Sequence, residues 1–158
     1  MQSVSILVDV QNVYYTTKQG FGRHFDYKRF WARASKDRKI VKAVAYAIDR
    51  GDPKQRQFQN ILKSIGFEVK LKPFIQRSDG SAKGDWDVGI AMDAIEFAEQ
   101  SDTIVLVSGD GDFDLLAHRI QTRYKAAVEV YGVAALTAES LIQAASLFVP
   151  IESDLLIA

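Results

Sequence analysis

The chain contains no cysteine. It can therefore form neither a disulfide framework nor a thiolate metal site, and it has no cysteine nucleophile. It also lacks any apolar run close to the roughly 20 residues that span a bilayer. Its first residues do not place a basic segment before an apolar one, as a signal peptide would. We therefore expect a protein of the cytoplasm with no membrane partner.

The sequence also shows no internal repeat, linker or low-complexity tract. Of its 158 residues, 47% are hydrophobic and 25% are charged, which are ordinary values for a globular protein. This composition excludes a disordered chain, a coiled coil and a collagen-like repeat. The length favours one domain over residues 1–158, because it is too short for two sizeable ones.

The formal net charge of zero conceals an uneven distribution. Residues 1–84 contain 17 Lys and Arg against 7 Asp and Glu, whereas residues 85–158 contain 3 against 13. An asymmetry of this kind suggests that one part of the molecule binds a polyanion.

Apolar runs and helical spacings alternate along the chain. The predicted strands cover residues 4–10, 40–48, 67–71, 103–107, 126–131 and a short sixth stretch at 147–149. The predicted helices are a short piece from 13, then 27–36, 53–65, 87–99, one marked by apolar residues from 113 to 120, and 138–145. Residues 76–84 read as a polar loop. This alternation predicts a three-layer α/β/α fold around a mostly parallel sheet of five to six strands.

Two details of the helices are expected from spacing. Phe25 and Phe30 flank Asp26 at the distance of a hydrophobic staple, so Asp26 is the predicted N-cap of the helix at 27–36. The helix at 87–99 is expected to share one apolar face among Val88, Ala91, Met92, Ile95 and Ala98.

Aspartates stand where the predicted strands end. Asp9 and Asp110 each follow a buried strand, Asp112 comes two residues later, and Asp87 opens a helix. In an open α/β sheet, ligands bind at the carboxyl ends of the strands, where the strand order switches. Carboxylates gathered there repel one another unless a cation neutralises them. Oxygen ligands alone suit Mg²⁺ or Mn²⁺ rather than zinc, so we expect a divalent-metal site.

Each aspartate also has a simpler interpretation as a turn former or a helix cap. Asp112 could cap a helix beginning at Phe113, and Asp87 could cap its own helix. We interpret Asp85 and Asp114 as solvated or capping residues and leave both out of the predicted site. The metal hypothesis depends on four acidic residues occurring together on separate elements.

Three segments resemble the signature segments of one known family. VDVQN at 8–12, KGDWDVGIAMDA at 83–94 and SGDGDF at 108–113 look like those of the NYN domain, in its LabA-like branch, and they occur in the expected order. The ending TAESLIQAASLFVPI also resembles that family's last helix and strand. The NYN domain belongs to the PIN-like superfamily, so the resemblance implies a Rossmann-like topology with strand order about 3-2-1-4-5.

The resemblance also implies a function. PIN-like proteins are typically Mg²⁺- or Mn²⁺-dependent nucleases that often act on RNA, and the family's acidic positions fall on Asp9, Asp87, Asp110 and Asp112. These four are the expected catalytic residues and ligands of one or two ions. Asp87 is preferred to Asp85 because residues 88–92 continue the family pattern.

Three further residues near these aspartates are candidate substrate contacts. Asn12 would hold a water or a phosphate oxygen, Ser108 would donate to a phosphate, and Lys83 would meet the scissile phosphate as a point charge. Their simpler roles are a helix cap, a turn former and a solvated loop lysine, respectively.

Residues 14–42 are the candidate nucleic-acid surface. Seven aromatic residues lie between Tyr14 and Trp31, and nine basic residues lie between Lys18 and Lys42. Aromatic rings can stack on the bases of a single strand while cations meet its phosphates. We expect Tyr14, Tyr15, Lys28 and Arg29 to contact RNA, and Phe30 to pack in the core. The alternative is that residues 14–42 form an ordinary solvated face and that the substrate approaches from the loop around Arg77 and Lys83.

The leading hypothesis is a metal-dependent ribonuclease. A non-catalytic RNA-binding or regulatory module that retains the metal site is the alternative. A metal-dependent phosphatase is less favoured, because the haloacid-dehalogenase type needs a second Asp two residues after the first, where this chain has Gln11. The apolar ending at 155–158 leaves a homodimer open.

Overall fold

A computed structural model describes residues 1–73 and 85–158 in full and residues 75–76 and 82–83 by their backbone. The strands of this part of the chain are β1 Gln2–Asp9, β2 Arg38–Asp49, β3 Glu68–Pro73, β4 Ile75–Gln76, β5 Ala82–Lys83, β6 Thr103–Val107, β7 Ala127–Gly132 and β8 Leu147–Pro150. Its α-helices are α1 Val10–Phe21, α2 Tyr27–Ser35, α3 Pro53–Ile65, α4 Asp87–Ala98, α5 Asp114–Arg123 and α6 Glu139–Ala144. None of the described helices is both long and apolar enough to cross a membrane.

Six of the strands form a parallel sheet with the order β3-β2-β1-β6-β7-β8. Counted within the sheet alone, this order is 3-2-1-4-5-6. It confirms the predicted three-layer fold, the edge position of the third strand and the short sixth strand. The segment predicted as a loop at 76–84 differs in one respect, because Ile75 pairs with Lys83 and Gln76 with Ala82 in an antiparallel two-stranded ladder.

Alternate side chains of each strand enter two separate cores. On β1, Ile6 and Val8 point to one face of the sheet, whereas Leu7 points to the other. The helices α1, α2 and α3 cover the first face, and α4, α5 and α6 cover the second. We call these two sets of helices the first layer and the second layer.

Side-chain caps set the beginnings of α2 and α3. Asp26 accepts a hydrogen bond from the backbone N–H of Arg29, and Asp52 accepts one from that of Lys54. The rings of Phe25 and Phe30 are 5.4 Å apart, as the staple predicted, and Phe30 is fully buried. The predicted cap at Asp26 and the core position of Phe30 are therefore confirmed.

Two expectations about helices were wrong. The first helix begins at Val10, not Val13, because Asp9 already takes the N-cap position and both valines pack in the core. On α4, Val88 and Met92 are 71% and 67% exposed, and the core-facing residues are Ile90, Ala94, Phe97 and Ala98. Apolar residues surround most of α4, so their spacing does not reveal which side is buried.

Candidate metal centre

The site lies where the strand order reverses. β1 and β6 are parallel neighbours whose carboxyl ends meet, since Val8 pairs with Val107. Asp9 ends β1, and a tight turn begins at Ser108 directly after β6. The chain leaves β1 toward the first layer and leaves β6 toward the second. Side chains that follow these two strands therefore enter a crevice between the layers.

Three carboxylates converge at this crevice. One oxygen from each of Asp87, Asp110 and Asp112 lies within 4.8 Å of the others. Asp110 N-caps the short turn Gly111–Phe113, accepting the backbone N–H of Asp112 at 2.9 Å. We call Asp87, Asp110, Asp112 and the neighbouring Asp9 the acidic cluster.

Asp9 is linked to the other carboxylates through a buried hydroxyl. Ser108, only 1% exposed, donates its hydroxyl to Asp9 Oδ2 at 3.1 Å and accepts the backbone N–H of Asp110 at 3.2 Å. The pKa of Asp9 is raised to about 6, mainly because the carboxyl group is buried. The charges of Asp110 and Asp85 also raise it, whereas the hydrogen bonds from the Ser108 hydroxyl and the backbone N–H of Asn12 lower it.

The surroundings of Asp87 also disfavour its negative charge. Desolvation, a carboxyl–carboxylate hydrogen bond with Asp110 and the charge of Asp110 raise its pKa to about 7, and Asp85 and Asp9 add smaller contributions. A raised pKa means that the surroundings disfavour the charged carboxylate. A bound cation would reverse that preference.

The indole of Trp86 holds the beginning of α4 against the sheet. Its Nε1 donates to the backbone oxygen of Ala47 at 2.9 Å, and its ring lies 5.3 Å from that of Tyr46. Lys72 belongs to the edge strand β3, and its Nζ lies 4.5 Å from the indole centroid. At Gly89, an added Cβ would stand 2.7 Å from the indole, so the close approach requires glycine. These contacts fix Asp87 at the crevice.

Neither Asp112 nor Asp87 is a helix cap, which was the simpler interpretation of each. Asp112 caps no helix, because the residue before α5 is Phe113. Asp87 is the first residue of α4, and its backbone N–H is instead accepted by Asp85 at 3.2 Å. Asp85, which the sequence analysis left out, thus shapes this turn and adds negative charge to the site. Its signal was its position two residues before Asp87.

The donor set fits a hard divalent cation. All of its ligand atoms are carboxylate oxygens, which Mg²⁺ and Mn²⁺ prefer. Two oxygens on one octahedral Mg²⁺ stand about 3 Å apart when adjacent and about 4.2 Å apart when opposite. The separations among the oxygens of Asp87, Asp110 and Asp112, at most 4.8 Å, are close to this range.

The remaining predicted contacts fall in different places. The amide oxygen of Asn12 accepts the backbone N–H of Gly109 at 2.9 Å, so Asn12 joins α1 to the turn after β6. It lies within α1 and is not its cap. The hydroxyl of Ser108 is used inside the protein, which is the turn-shaping role. The side chain of Lys83 and the residue Arg77 lie outside the described residues.

The turn after β6 is tight because the next segment presses against it. A Cβ on Gly109 would stand 2.9 Å from the backbone oxygen of Leu136, and one on Gly111 would stand 2.8 Å from the Cβ of Ala138. The two glycines of SGDGD therefore let the polypeptide at 136–138 hold Asp110 and Asp112 in place.

The aromatic residues between Tyr14 and Trp31 divide into an exposed group and a buried group. Tyr14 and Tyr15 are 43% and 49% exposed and lie on α1, which begins at the acidic cluster. Tyr14 stacks on His24, and Lys18 lies 5.7 Å from its ring centroid. Phe21 is also exposed, whereas Phe25, Tyr27 and Phe30 belong to the core. Lys28 and Arg29 are exposed at the start of α2.

Comparisons with known proteins point to one family. The model of the NYN domain matches residues 3–152. Low amplitude and bright protein LabA from Synechococcus elongatus is 32% identical over 120 residues, which are 70% of this chain and 63% of that protein. The chain therefore spans less than two thirds of the length of this relative.

Solved structures resemble the whole chain. A crystal structure of a protein of unknown function from Vibrio parahaemolyticus is 58% identical, with a TM-score of 0.95 over 99% of this chain and 96% of that one. Acinetobacter baumannii MurG is 13% identical, with a TM-score of 0.53 over 100% of this chain and 44% of that one, a likeness of fold alone.

Proposed function

Because this chain belongs to the NYN domain family, in its LabA-like branch, we propose that it is a divalent-metal-dependent ribonuclease. The family is a branch of the PIN-like nucleases. We treat residues 1–158 as one such domain that hydrolyses RNA phosphodiester bonds. The cytoplasm remains the proposed compartment, because RNA is available there.

The convergence of carboxylates is the observation that carries this proposal. Asp87, Asp110 and Asp112 meet within 4.8 Å, beside the buried Asp9. Desolvation and mutual repulsion disfavour the ionised forms of Asp9 and Asp87, so the cluster weakens the protein near neutral pH unless something compensates. A site that holds carboxylates close together despite this repulsion is suited to binding a cation.

Each carboxylate then has a role. Asp87, Asp110 and Asp112 hold Mg²⁺ or Mn²⁺, and Asp9 completes the ligand set or orients it through Ser108. A bound divalent ion would activate water and stabilise the leaving oxygen. Asn12 and the glycines of the turn hold the ligands in position. Trp86 does the same for Asp87, and Lys83 is retained as a proposed phosphate contact.

The exposed part of residues 14–42 is the proposed substrate surface. Tyr14 and Tyr15 can stack on unpaired bases, and Lys28 and Arg29 can meet phosphates. Stacking requires bases that are not already paired, which favours single-stranded RNA. This surface lies beside Asp9, since α1 begins at the residue after it.

The experiment is cleavage of end-labelled single-stranded RNA by the purified protein in Mn²⁺, Mg²⁺ or EDTA. We expect cleavage in either metal and none in EDTA. Asp110→Asn serves as the inactive control, purified identically, to exclude a contaminating nuclease. A generic phosphatase substrate is tested in parallel.

The outcomes separate the alternatives. RNA that is bound but never cut would favour the non-catalytic module, and turnover of the phosphatase substrate alone would favour a phosphatase. Cleavage that survives EDTA, or that is equal in Asp110→Asn, would refute the metal-dependent mechanism.

A further inference from the structure

The six helices divide their charge according to the face of the sheet that they cover. The first layer carries seven basic residues and no acidic residue, whereas the second carries five acidic and two basic residues. The seven basic residues are Lys18, Lys28, Arg29, Arg33, Lys54, Arg56 and Lys63. The acidic cluster lies at the boundary between the two layers.

The contrast between the helices extends to the carboxyl edge of the sheet, where the N-cap Asp52 is followed by a basic first turn of α3. α3 begins there, directly after β2, and its first turn exposes Lys54 and Arg56. The first turn of α2 exposes Lys28 and Arg29 beside Tyr27. The ring of Phe30, the residue after Arg29, lies 5.0 Å from that of Tyr131, which pairs with Val107 at the end of β6, so the first turn of α2 packs near the carboxyl ends of the strands.

The second layer presents the opposite charge at the same edge. The first turns of α4, α5 and α6 contain Asp87, Asp114 and Glu139. Arg119 and Arg123 lie later in α5, about 7.5 and 13.5 Å along its axis from Asp114 at 1.5 Å per residue. Val88 and Leu115 are exposed near these acidic residues, and their apolar side chains cannot pair with a phosphate.

We infer that this protein binds RNA on one side of the scissile phosphate only, along the first turns of α2 and α3. Lys54 and Arg56 join Lys28 and Arg29 as phosphate contacts. On the other side of the cut, the acidic residues of the first turns of α4, α5 and α6 outnumber the nearby cation Lys72, whose Nζ donates to the backbone oxygen of Asp85, so the second flank leaves the protein. This inference rests on the proposed function for the position of the scissile phosphate.

One-sided binding has a consequence for the products. Most of the electrostatic binding energy comes from one flank, so that flank must be several nucleotides long, whereas the other can be as short as one nucleotide. Cleavage would therefore release fragments of very short length from one end of the RNA and only longer fragments from the other.

The first test compares charge reversals on the two layers by binding in EDTA. The probe is fluorescently labelled oligouridylate of about 20 nucleotides, titrated between about 50 and 200 mM salt. Lys54→Glu with Arg56→Glu should lower the affinity on the order of tenfold and flatten the slope of log K against log salt by about 1.4, or 0.7 per lost contact. The matched control, Arg119→Glu with Arg123→Glu, should leave the affinity and slope unchanged or nearly so.

The second test maps products from the same RNA labelled at either its 5′ or its 3′ end. A shortest fragment of one or two nucleotides from one end, and of several from the other, supports the inference. Equal shortest fragments from both ends, or equal loss of affinity in the two double variants, would overturn it. So would a wild-type protein that does not bind the oligonucleotide.

These results also separate the inference from the function on which it rests. If the protein binds RNA through Lys54 and Arg56 but cuts none in Mn²⁺, the ribonuclease proposal fails while the one-sided surface stands. If it cuts RNA symmetrically, the ribonuclease proposal stands and the one-sided surface fails.

Discussion

The two layers of helices pack against the same sheet in similar ways but present different surfaces to solvent. Each is anchored by a continuous apolar core, with Phe30 and Leu62 fully buried in the first and Ile90 and Leu141 in the second. Burial on each face therefore accounts for packing, and it places no demand on the sign of the outer charges. The charge difference is available for function, and we assign RNA attraction to the first layer and metal binding to the second.

Two acidic residues of the second layer lie in the first turns of their helices. A carboxylate in the first turn of a helix interacts favourably with the helix dipole, typically by about 0.3–1 kcal/mol. Asp87 and Asp114 occupy such positions in α4 and α5, whereas the first turns of α1, α2 and α3 contain no acidic residue. Asp87 thus both interacts with a helix end and supplies a carboxylate to the site.

The largest effect is expected from removing one carboxylate at the boundary of the layers. Asp110→Asn takes a ligand from the metal, and we expect cleavage to fall at least about a thousandfold, or about 4 kcal/mol. The metal-free protein should remain folded and be no less stable, because one source of repulsion is removed.

The control for this variant is Glu99→Gln, which removes an exposed acid after the far end of α4. Cleavage rates in Mn²⁺ and thermal unfolding in EDTA are measured for both. A normal rate in Asp110→Asn would remove Asp110 from the ligand set.

A smaller effect is expected from loosening the contact between the second layer and the sheet. Trp86→Ala deletes the ring that packs on Tyr46 and the hydrogen bond to Ala47, and we expect a loss of about 2–3 kcal/mol in the free energy of unfolding. Trp86→Phe keeps a ring and loses mainly the hydrogen bond, at about 1 kcal/mol.

Cleavage by the two tryptophan variants shows whether the residue positions Asp87. We expect Mn²⁺ affinity and kcat to fall in Trp86→Ala, with partial recovery in Trp86→Phe and little change in KM. Unchanged Mn²⁺ affinity in Trp86→Ala would mean that the indole has a structural role alone.

The first layer can be tested by reversing its charge near the acidic cluster. Lys28→Glu with Arg29→Glu should weaken RNA binding and flatten its salt slope by about 1.4, while leaving Mn²⁺ affinity unchanged. Lys63→Glu lies in the last turn of α3, away from the carboxyl edge, and is the matched control within the same layer. An equal effect of Lys63→Glu would mean that the layer attracts RNA without a defined track.

Stacking is expected to contribute less than charge. Tyr14→Ala should weaken binding of single-stranded RNA by about 1 kcal/mol, at the lower end of the range for one stacked base, because Tyr14 already stacks on His24. Tyr14→Phe retains the ring and should bind as the wild type does. If both variants bind normally in a fluorescence titration, α1 supplies no stacking platform.

A separate effect is expected in the pH dependence of the metal-free protein. The pKa values of Asp9 and Asp87 are raised from 3.8 to about 6 and about 7 on folding. The folded state therefore binds more protons than the unfolded state over this range, and stability falls as pH rises from about 4 to 7. Unfolding midpoints in EDTA should show this decline, and saturating Mn²⁺ should offset it above pH 6. A flat profile in EDTA would contradict the strained cluster.

Local patterns in the sequence predicted most of the fold because several signals agreed. Asp26 and Asp52 are N-caps, and the buried runs became parallel strands in the expected order. The apolar face of α4 was not predictable from spacing, since Val88 and Met92 fit the helical repeat as well as Ile90 does. Only the packing of α4 against the sheet decides which side is buried.

The candidate site was predictable in composition but not in detail. Strand ends located Asp9 and Asp110, the start of a predicted helix located Asp87, and Asp112 followed two residues after Asp110; the family resemblance pointed to the same four residues. The link from Asp9 through Ser108 to the backbone of Asp110 depends on a contact between distant segments, which a single sequence does not reveal. The same holds for the charge of Asp85 beside Asp9, and for the division of basic and acidic helices between two faces.

The most direct test of the account is a crystal of this protein soaked in Mn²⁺ and measured at a wavelength where manganese scatters anomalously. The account predicts an anomalous peak between α4 and the turn after β6, with carboxylate oxygens of Asp87, Asp110 and Asp112 at about 2.2 Å or one water further away. The same soak of Asp110→Asn should lose that peak. A saturating soak with no peak at this edge of the sheet, or with manganese bound only elsewhere, would contradict the central claim that the acidic cluster is a metal site.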